Sequence, residues 1–172
     1  MPLEIERKFC VLDDTWRADT VKVHRLRQAY LMKNEHISIR VRIDGHEAAT
    51  LTIKTPAPGI ERNEYEYPIP VADAEELFAQ RDGSIIAKSR YLVPFKGLLW
   101  EIDVFEGPNS GLVIAEVELE DVRQDFQRPA WLGHEITHDP RFYNAYLAKH
   151  PYLSWRTAEP RRSFGQNIRY RN

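Results

Sequence analysis

Apolar and polar residues alternate with a period of two along most of this chain, and such alternation predicts β-strands that bury one face. In the stretch ISIRVRI at residues 37–43, every second side chain is isoleucine or valine. The same pattern recurs in the segments EIERKF, RLRQAYLM, TLTIKT, RNEYEYPI, KSRYLV, WEIDVF and IAEVELED. About eight strands at this spacing predict an antiparallel barrel or sandwich.

Turn and helix signals fall between these strands. Asp44-Gly45 and Lys96-Gly97 each predict a hairpin turn. The segment VADAEELFAQ predicts a helix capped by Asp73, and DPRFYNAYLAKH predicts a helix capped by Asp139 with proline at its first position. The chain is therefore expected to be mainly β, with a few flanking helices.

The polar face of these strands carries blocks of a single charge sign. The blocks are Glu4/Glu6, Arg40/Arg42, Glu64/Glu66, Lys88/Arg90, Glu101/Asp103 and Glu116/Glu118. Like charges that face one another on a sheet cost about 0.2–1 kcal/mol per pair, so a solvent-exposed face has no reason to repeat them. The pattern favours a closed barrel whose apolar face points outward, partly covered by helices, and whose charged face lines a lumen.

Composition limits the class of protein. The 172 residues are 42% hydrophobic and 29% charged, which is typical of one globular domain. A net charge of -2 argues against a general nucleic-acid binder. The single cysteine, Cys10, excludes an intrachain disulfide and fits a reducing compartment. With no signal peptide and no apolar run of membrane-spanning length, a cytoplasmic protein without a membrane partner is expected.

Acidic and basic blocks around one lumen predict a phosphate-rich substrate that is bound together with metal. Carboxylates suit hard divalent cations such as Mg²⁺ or Mn²⁺, which prefer oxygen ligands. Arginine and lysine suit phosphate oxygens. The alternation by itself predicts only that the substrate is a polyanionic phosphate.

The sequence also resembles a known family. Residues 4–8, EIERK, match the E-x-E-x-K signature of the CYTH family, the triphosphate tunnel metalloenzymes. The segments SIRVRI, TLTIK, RNEYEY, KSRY, WEIDVF, AEVELE and DPRFYN follow in the order typical of that family. The resemblance covers residues 1–150 and is strongest to the short, single-domain bacterial members. It implies an eight-stranded antiparallel closed barrel that forms a tunnel, followed by an Arg-rich extension at 151–172 whose role is open.

The resemblance implies roles for particular residues. The implied substrate-binding set is Lys8, Arg40, Arg42, Lys54, Arg62, Lys88 and Arg90. The implied metal-binding set is Glu4, Glu6, Glu116 and Glu118, with Glu64, Glu66 and Asp103 as further candidates. Lys8, Lys88, Glu4 and Glu6 are expected to be catalytic. Tyr143 and Ala145 stand where related chains often have lysine, so the resemblance does not extend to a basic gate at the C-terminal helix.

The resemblance implies hydrolysis of inorganic triphosphate, with Mg²⁺ or Mn²⁺, to pyrophosphate and phosphate. Alternatives are an adenylate cyclase of the class IV type, a nucleoside or thiamine triphosphatase, and a non-catalytic binder of polyphosphate or nucleotide. The inward strand faces offer no evident adenine slot, and only Tyr30 and Phe142 are candidates for one. Oligomeric state is left open by the sequence.

One further motif is treated as a coincidence. The stretch HEITH at 134–138 matches H-E-x-x-H, a zinc-protease pattern that works only when both histidines share one face of a helix. Gly133 precedes the motif, two of its residues are β-branched, and a new helix is predicted directly after it. A strand or loop is therefore expected there, without a zinc site.

Overall fold

One antiparallel sheet makes up most of the protein. The computed structural model describes residues 3–56 and 62–156. Its strands are β1 (Leu3–Glu4), β2 (Glu6–Val11), β3 (Lys22–Lys33), β4 (Ser38–Asp44), β5 (Ala48–Pro56), β6 (Arg62–Ile69), β7 (Ile86–Phe95), β8 (Leu98–Phe105), β9 (Val113–Glu118) and β10 (Leu132–Glu135). Their order in the sheet is β1-β6-β5-β4-β3-β7-β8-β9-β2-β10.

Helices are few and short. The α-helices are α1 (Val71–Phe78), α2 (Asn144–Lys149) and α3 (Tyr152–Trp155), and 3-10 turns span Thr15–Asp19, Gly107–Asn109 and Pro140–Phe142. In the part of the chain that the structure describes, no helix is long and apolar enough to cross a membrane.

The predicted eight-stranded closed barrel is wrong in strand number and in closure. The first two segments, β1 and β2, are separated only by Ile5, so the described residues contain ten strand segments, or nine if these two count as one. Within those residues β1 pairs with β6, β2 pairs with β9 and β10, and the end strands β1 and β10 are not paired with each other. Alternation could not reveal the break at Ile5 or the added strand β10, whose four residues are too few to show a period.

Both predicted hairpins are present. Gly45 has φ +59° in the turn between β4 and β5. Between β7 and β8, Lys96 and Gly97 have φ values of 49° and 84°. Positive φ at both central residues is typical of a type I′ turn, whose twist matches the right-handed twist of the flanking strands.

The helix predictions are partly confirmed. Asp139 accepts a hydrogen bond from the backbone N–H of Arg141 (3.1 Å) and caps the turn that follows, as predicted. That turn ends at Phe142, and α2 begins separately because the backbone of Tyr143 is extended. The cap predicted at Asp73 is wrong: α1 begins at Val71 after Pro70, and Asp73 lies in its first turn.

Apolar side chains cover the face of the sheet opposite the charged residues. Trp16 from the first 3-10 turn and Trp131 pack in one buried cluster with Phe9 and Trp100. In a second cluster Ala74 and Phe78 of α1 pack with apolar residues of β3, β4 and β5. This arrangement leaves the charged face turned inward, as the alternation predicts.

The C-terminal region packs in a third apolar cluster. Leu147 of α2 lies buried with Ile86 and Ile114, and the partly buried Tyr152 and Trp155 of α3 pack against this cluster. The proposed division at residue 150 remains a prediction. Residues 157–172, most of the Arg-rich extension, lie outside the described residues.

Candidate active site

The charged face of the sheet lines a cavity of about 850 Å³. The basic side chains among its described lining residues are Lys8, Lys33, Arg40, Arg42, Lys54 and Arg90. The acidic ones are Glu6, Glu35, Glu64, Glu66, Glu101, Glu116 and Glu118. With all of these ionised, the described lining carries one net negative charge, so charge is concentrated in this cavity but nearly balanced.

One side of the cavity presents Arg40, Arg42 and Lys54 from β4 and β5, a group that we call the basic wall. The strand register brings them together, because Arg40 lies opposite Thr52 and Arg42 lies opposite Thr50, and alternate residues share a face. Their ion pairs with β6 are long: Arg42 Nη2 to Glu66 is 3.3 Å, and Arg40 Nη2 to the same carboxylate is 3.8 Å.

Lys54 completes the basic wall in the same way. Its Nζ lies 3.3 Å from Glu64, which lies directly opposite on β6. Burial, followed by the neighbouring Arg40 charge, lowers the pKa of Arg42 below its ordinary value. Among the described residues, the ion pairs of the basic wall with Glu64 and Glu66 are thus all 3.3 Å or longer.

The opposite side is a tightly paired set, which we call the ion-pair cluster: Lys8, Lys88 and Arg90 with Glu6, Glu101, Asp103 and Glu116. Lys8 Nζ donates to Glu6 (2.7 Å) and also contacts Glu116, its direct neighbour on β9. Burial opposes the charged form of Lys8, but the Glu116 and Glu6 carboxylates outweigh it and raise the pKa of Lys8 above its ordinary value.

Arg90 connects three carboxylates of the ion-pair cluster. Its Nε and Nη2 both donate to Asp103 at 2.7 Å, its Nη2 also donates to Glu116 at 2.7 Å, and its Nη1 contacts Glu101. These bonds use four of the five N–H groups of a guanidinium. Although burial opposes it, the same carboxylates raise the pKa of Arg90 well above its ordinary value.

The two acidic neighbours of Arg90 on the cavity wall have opposite pKa shifts. Burial raises the pKa of Glu101 above its ordinary value, and the Arg90 charge only partly offsets this. Burial opposes the charged form of Glu116 as well, but the charges of Lys8 and Arg90 outweigh it and hold its pKa well below the ordinary value. The ion-pair cluster therefore stabilises the negatively charged form of Glu116.

Lys88 lies behind this wall. Its side chain and that of Asp103 are 1% and 0% exposed and contact each other directly. Burial, together with the nearby Arg90 charge, lowers the pKa of Lys88 below its ordinary value, although Asp103 opposes this. Neither residue is among the described residues that line the cavity.

Most of the predicted site residues meet in this one cavity. Lining it are Glu6, Lys8, Arg40, Arg42, Lys54, Glu64, Glu66, Arg90, Glu116 and Glu118. Lys88 and Asp103 lie beneath its surface. The side chains of Glu4 and Arg62 lie outside the described part of the structure, and their backbones pair between β1 and β6. The roles assigned to all of these residues remain predictions.

Several lining residues were missed by the sequence analysis. Glu101 shares the face of Asp103 by simple alternation and could have been included. Thr137 and His138 follow β10, where no strand period is available to place them. Lys33 was missed because a bulge between Tyr30 and Met32 reverses the alternation that would place it outside.

The carboxylates of the cavity suit a metal ion by their chemistry. Glu6, Glu116 and Glu118 offer oxygen ligands of the kind that hard divalent cations prefer. Across residues 3–56 and 62–156, no group of three or more His, Cys, Asp or Glu side chains is arranged to hold a metal ion. Glu6 and Glu116 are bound to Lys8, so metal binding requires these side chains to exchange partners.

The H-E-x-x-H stretch is not helical in the described structure. His134 and Glu135 lie at the end of strand β10, not on a helix, as the sequence predicts. His134 Nε2 lies 3.4 Å from Cys10 Sγ, and Glu135 is bound to Arg7.

A smaller cavity of about 220 Å³ adjoins the larger one and shares Tyr30, Lys33 and Tyr143 with it. Tyr146 and His150 of the C-terminal region also line it. Phe142, the other aromatic candidate from the sequence, instead packs against Trp155 at 5.7 Å between ring centroids. An aromatic recess therefore lies where Tyr30 on the cavity face of β3 meets Tyr143 and Tyr146 of the C-terminal region.

Comparisons with known proteins agree with this architecture. The family model described as the CYTH domain matches residues 2–143. An inorganic triphosphatase of Acetivibrio thermocellus is 42% identical over 157 residues, which cover 91% of this chain and 99% of that protein. One of Nitrosomonas europaea is 40% identical over 149 residues, which cover 84% of this chain and 96% of that protein.

A solved structure is also similar to this chain. The crystal structure of the inorganic triphosphatase NE1496 aligns with a TM-score of 0.62 at 37% sequence identity, covering 86% of this chain and 95% of that one. The match of a family model to most of the chain, together with relatives of this identity and coverage, shows that the chain belongs to the CYTH domain family.

Proposed function

We propose that this protein hydrolyses inorganic triphosphate to pyrophosphate and phosphate in the charged cavity. The observation that carries the proposal is the loosely paired basic wall facing a carboxylate-rich wall across one cavity. Two relatives that are 40% and 42% identical over most of their length are inorganic triphosphatases, which supports the same reaction.

The basic wall is the part of the site that binds phosphate. Its ion pairs within the described residues, at 3.3–3.8 Å, are longer than the 2.7 Å bonds of the ion-pair cluster, so phosphate oxygens displace them at lower cost. Arg40, Arg42 and Lys54 lie on adjacent strands and offer charge at several points along the cavity. This spacing suits a linear chain of phosphoryl groups.

Charge balance supports a requirement for divalent metal. The described lining already carries one net negative charge, and triphosphate adds several more. We propose Glu6, Glu116 and Glu118, with Glu4 as a further member, as the residues that hold Mg²⁺ or Mn²⁺. A bound divalent ion supplies charge neutralisation and Lewis-acid activation of phosphate oxygens.

The reaction needs charge stabilisation and a positioned water more than covalent chemistry. Arg40, Arg42 and Lys54 stabilise negative charge on the transferring phosphoryl group. The carboxylates of the opposite wall orient the attacking water and accept its proton. Arg90 holds Glu116 of that wall in place through the bond described above.

Hydrolysis of a triphosphate that carries an aromatic ring is a second candidate. The recess lined by Tyr30, Tyr143 and Tyr146 favours it, because such a ring fits an apolar recess next to the phosphate site. This candidate and the first differ in the substrate and share the chemistry.

The test is product analysis with inorganic triphosphate, ATP and thiamine triphosphate, each with Mg²⁺ and with Mn²⁺. Release of phosphate and pyrophosphate from inorganic triphosphate, at a higher kcat/KM than for the two organic substrates, supports the proposal. Comparable or higher values for ATP favour the second candidate. Cyclic AMP as the main product would indicate that the protein is a cyclase. Absence of turnover with every substrate would indicate a non-catalytic binder.

A further inference from the structure

Lys33 reaches the cavity only because β3 contains an extra residue. The register between β3 and β4 runs from Leu26 opposite Asp44 to Tyr30 opposite Arg40, and then continues with Met32 opposite Ile39 and Lys33 opposite Ser38. Leu31 is the extra residue of this bulge. Alternation from Tyr30 alone would put Met32 on the cavity face, and the bulge puts Lys33 there instead.

The bulge aligns Lys33 with the basic wall. Lys33 lies opposite Ser38, and Ser38 lies opposite Lys54 on the next strand, so two lysines flank one serine across three strands. Arg40 and Thr52 form the next row inward. Positive charge therefore extends from the exposed rim at Lys33 along the basic wall.

An aromatic ring lies beside the Lys33 ammonium group. Lys33 Nζ lies 5.8 Å from the ring centroid of Tyr143, a distance at which a cation interacts favourably with the ring face. The Tyr143 hydroxyl donates to the backbone carbonyl of Thr137 (2.8 Å), which fixes the ring. Tyr143 thus favours a Lys33 position at the rim of both cavities.

We propose that Lys33 is a substrate-binding residue that contacts the outermost phosphoryl group of triphosphate at the rim of the cavity. The inference rests on the proposed function and adds a residue to it that alternation and family resemblance both leave out. Because this contact forms with bound substrate and persists in the transition state, its loss changes KM and leaves kcat nearly unchanged.

The experiment compares four variants with the wild-type protein. Lys33→Met removes the charge, and Lys33→Arg retains it. The exchange Met32→Lys with Lys33→Met keeps composition and net charge but moves the charge to the outer face, where Met32 is 48% exposed. Lys22→Met is the matched control, since Lys22 is an exposed lysine on the same strand outside the described cavity lining.

Two quantities are measured for each variant: the Kd for sodium triphosphate by calorimetry without divalent metal, and KM and kcat for its hydrolysis. Lys33→Met and the exchange variant are expected to raise Kd and KM about three- to tenfold, tenfold corresponding to about 1.4 kcal/mol. Lys33→Arg and Lys22→Met are expected to stay within about twofold of wild type, because each retains the rim charge.

The outcomes separate this inference from the proposed function. A wild-type Kd for Lys33→Met, or an equal loss for Lys22→Met, overturns the role of Lys33 even if hydrolysis is normal. Binding that depends on Lys33 without hydrolysis by the wild type supports Lys33 and refutes the proposed reaction. If the wild-type protein neither binds nor hydrolyses triphosphate, both proposals are refuted.

Discussion

Replacing Lys88 by methionine should destabilise the fold much more than removal of a cavity lysine does. Lys88 and Asp103 form a contact with 1% and 0% of their side chains exposed, so the substitution removes one partner of a buried ion pair. Breaking such a pair costs about 3–5 kcal/mol. Because Arg90 still donates two bonds of 2.7 Å to Asp103, we expect the lower end, about 3 kcal/mol.

The assay is urea unfolding, with thermal unfolding in parallel. For a chain of this size, 3 kcal/mol corresponds to a fall in Tm of about 6–12 °C. Lys54→Met is the matched control: its ion pair is 3.3 Å long and its side chain is 24% exposed, so its effect on stability should stay within about 1 kcal/mol. A Lys88→Met protein that keeps wild-type stability but no longer binds triphosphate would refute this reasoning and indicate that Lys88 contacts the substrate.

Three further predictions concern two glutamates that line the cavity, Glu116 and Glu118, and the H-E-x-x-H motif. The folded-state pKa of Glu116 lies below its ordinary value of 4.5, so the stability of the wild-type protein should fall as pH drops below about 4.5. Glu116→Gln should be less stable than the wild-type protein at pH 7, and its acid unfolding curve should show a weaker dependence of stability on pH. Glu118→Gln should raise the metal concentration needed for half-maximal activity. An unchanged metal titration would indicate that Glu118 lines the cavity without binding metal. His134→Ala should keep kcat/KM within about twofold, because His134 lies on β10 outside the described cavity lining, and abolished activity would revive the zinc interpretation.

Alternation predicts the strands and the face that each side chain occupies. It worked for the segment 37–43 because β4 is regular and pairs residue for residue with β5. It failed at Lys33 because a single bulge reverses the faces without any signal in the hydrophobic pattern. It also could not predict closure, which depends on how the N-terminal segment divides its pairing between β6 and β9.

The sequence predicts which charges share the cavity face but not how deep they lie or how they pair. Lys54 and Lys88 look alike in the pattern, since each follows an apolar residue on a strand. Lys54 lines the cavity, whereas Lys88 is buried against Asp103. Depth and pairing follow from the packing of neighbouring strands, which a period of two does not encode.

The central claim is that substrate engages the basic wall, and the most direct test is kcat/KM for inorganic triphosphate in Arg42→Met and Arg27→Met. Arg27 is the matched control because it lies on the outer face of β3, where it binds Glu75 of α1. We predict that Arg42→Met lowers kcat/KM at least about tenfold, the effect of losing one charged hydrogen bond to the transition state, whereas Arg27→Met stays within about twofold of wild type. Equal kcat/KM values for Arg42→Met and the wild-type protein would contradict the claim.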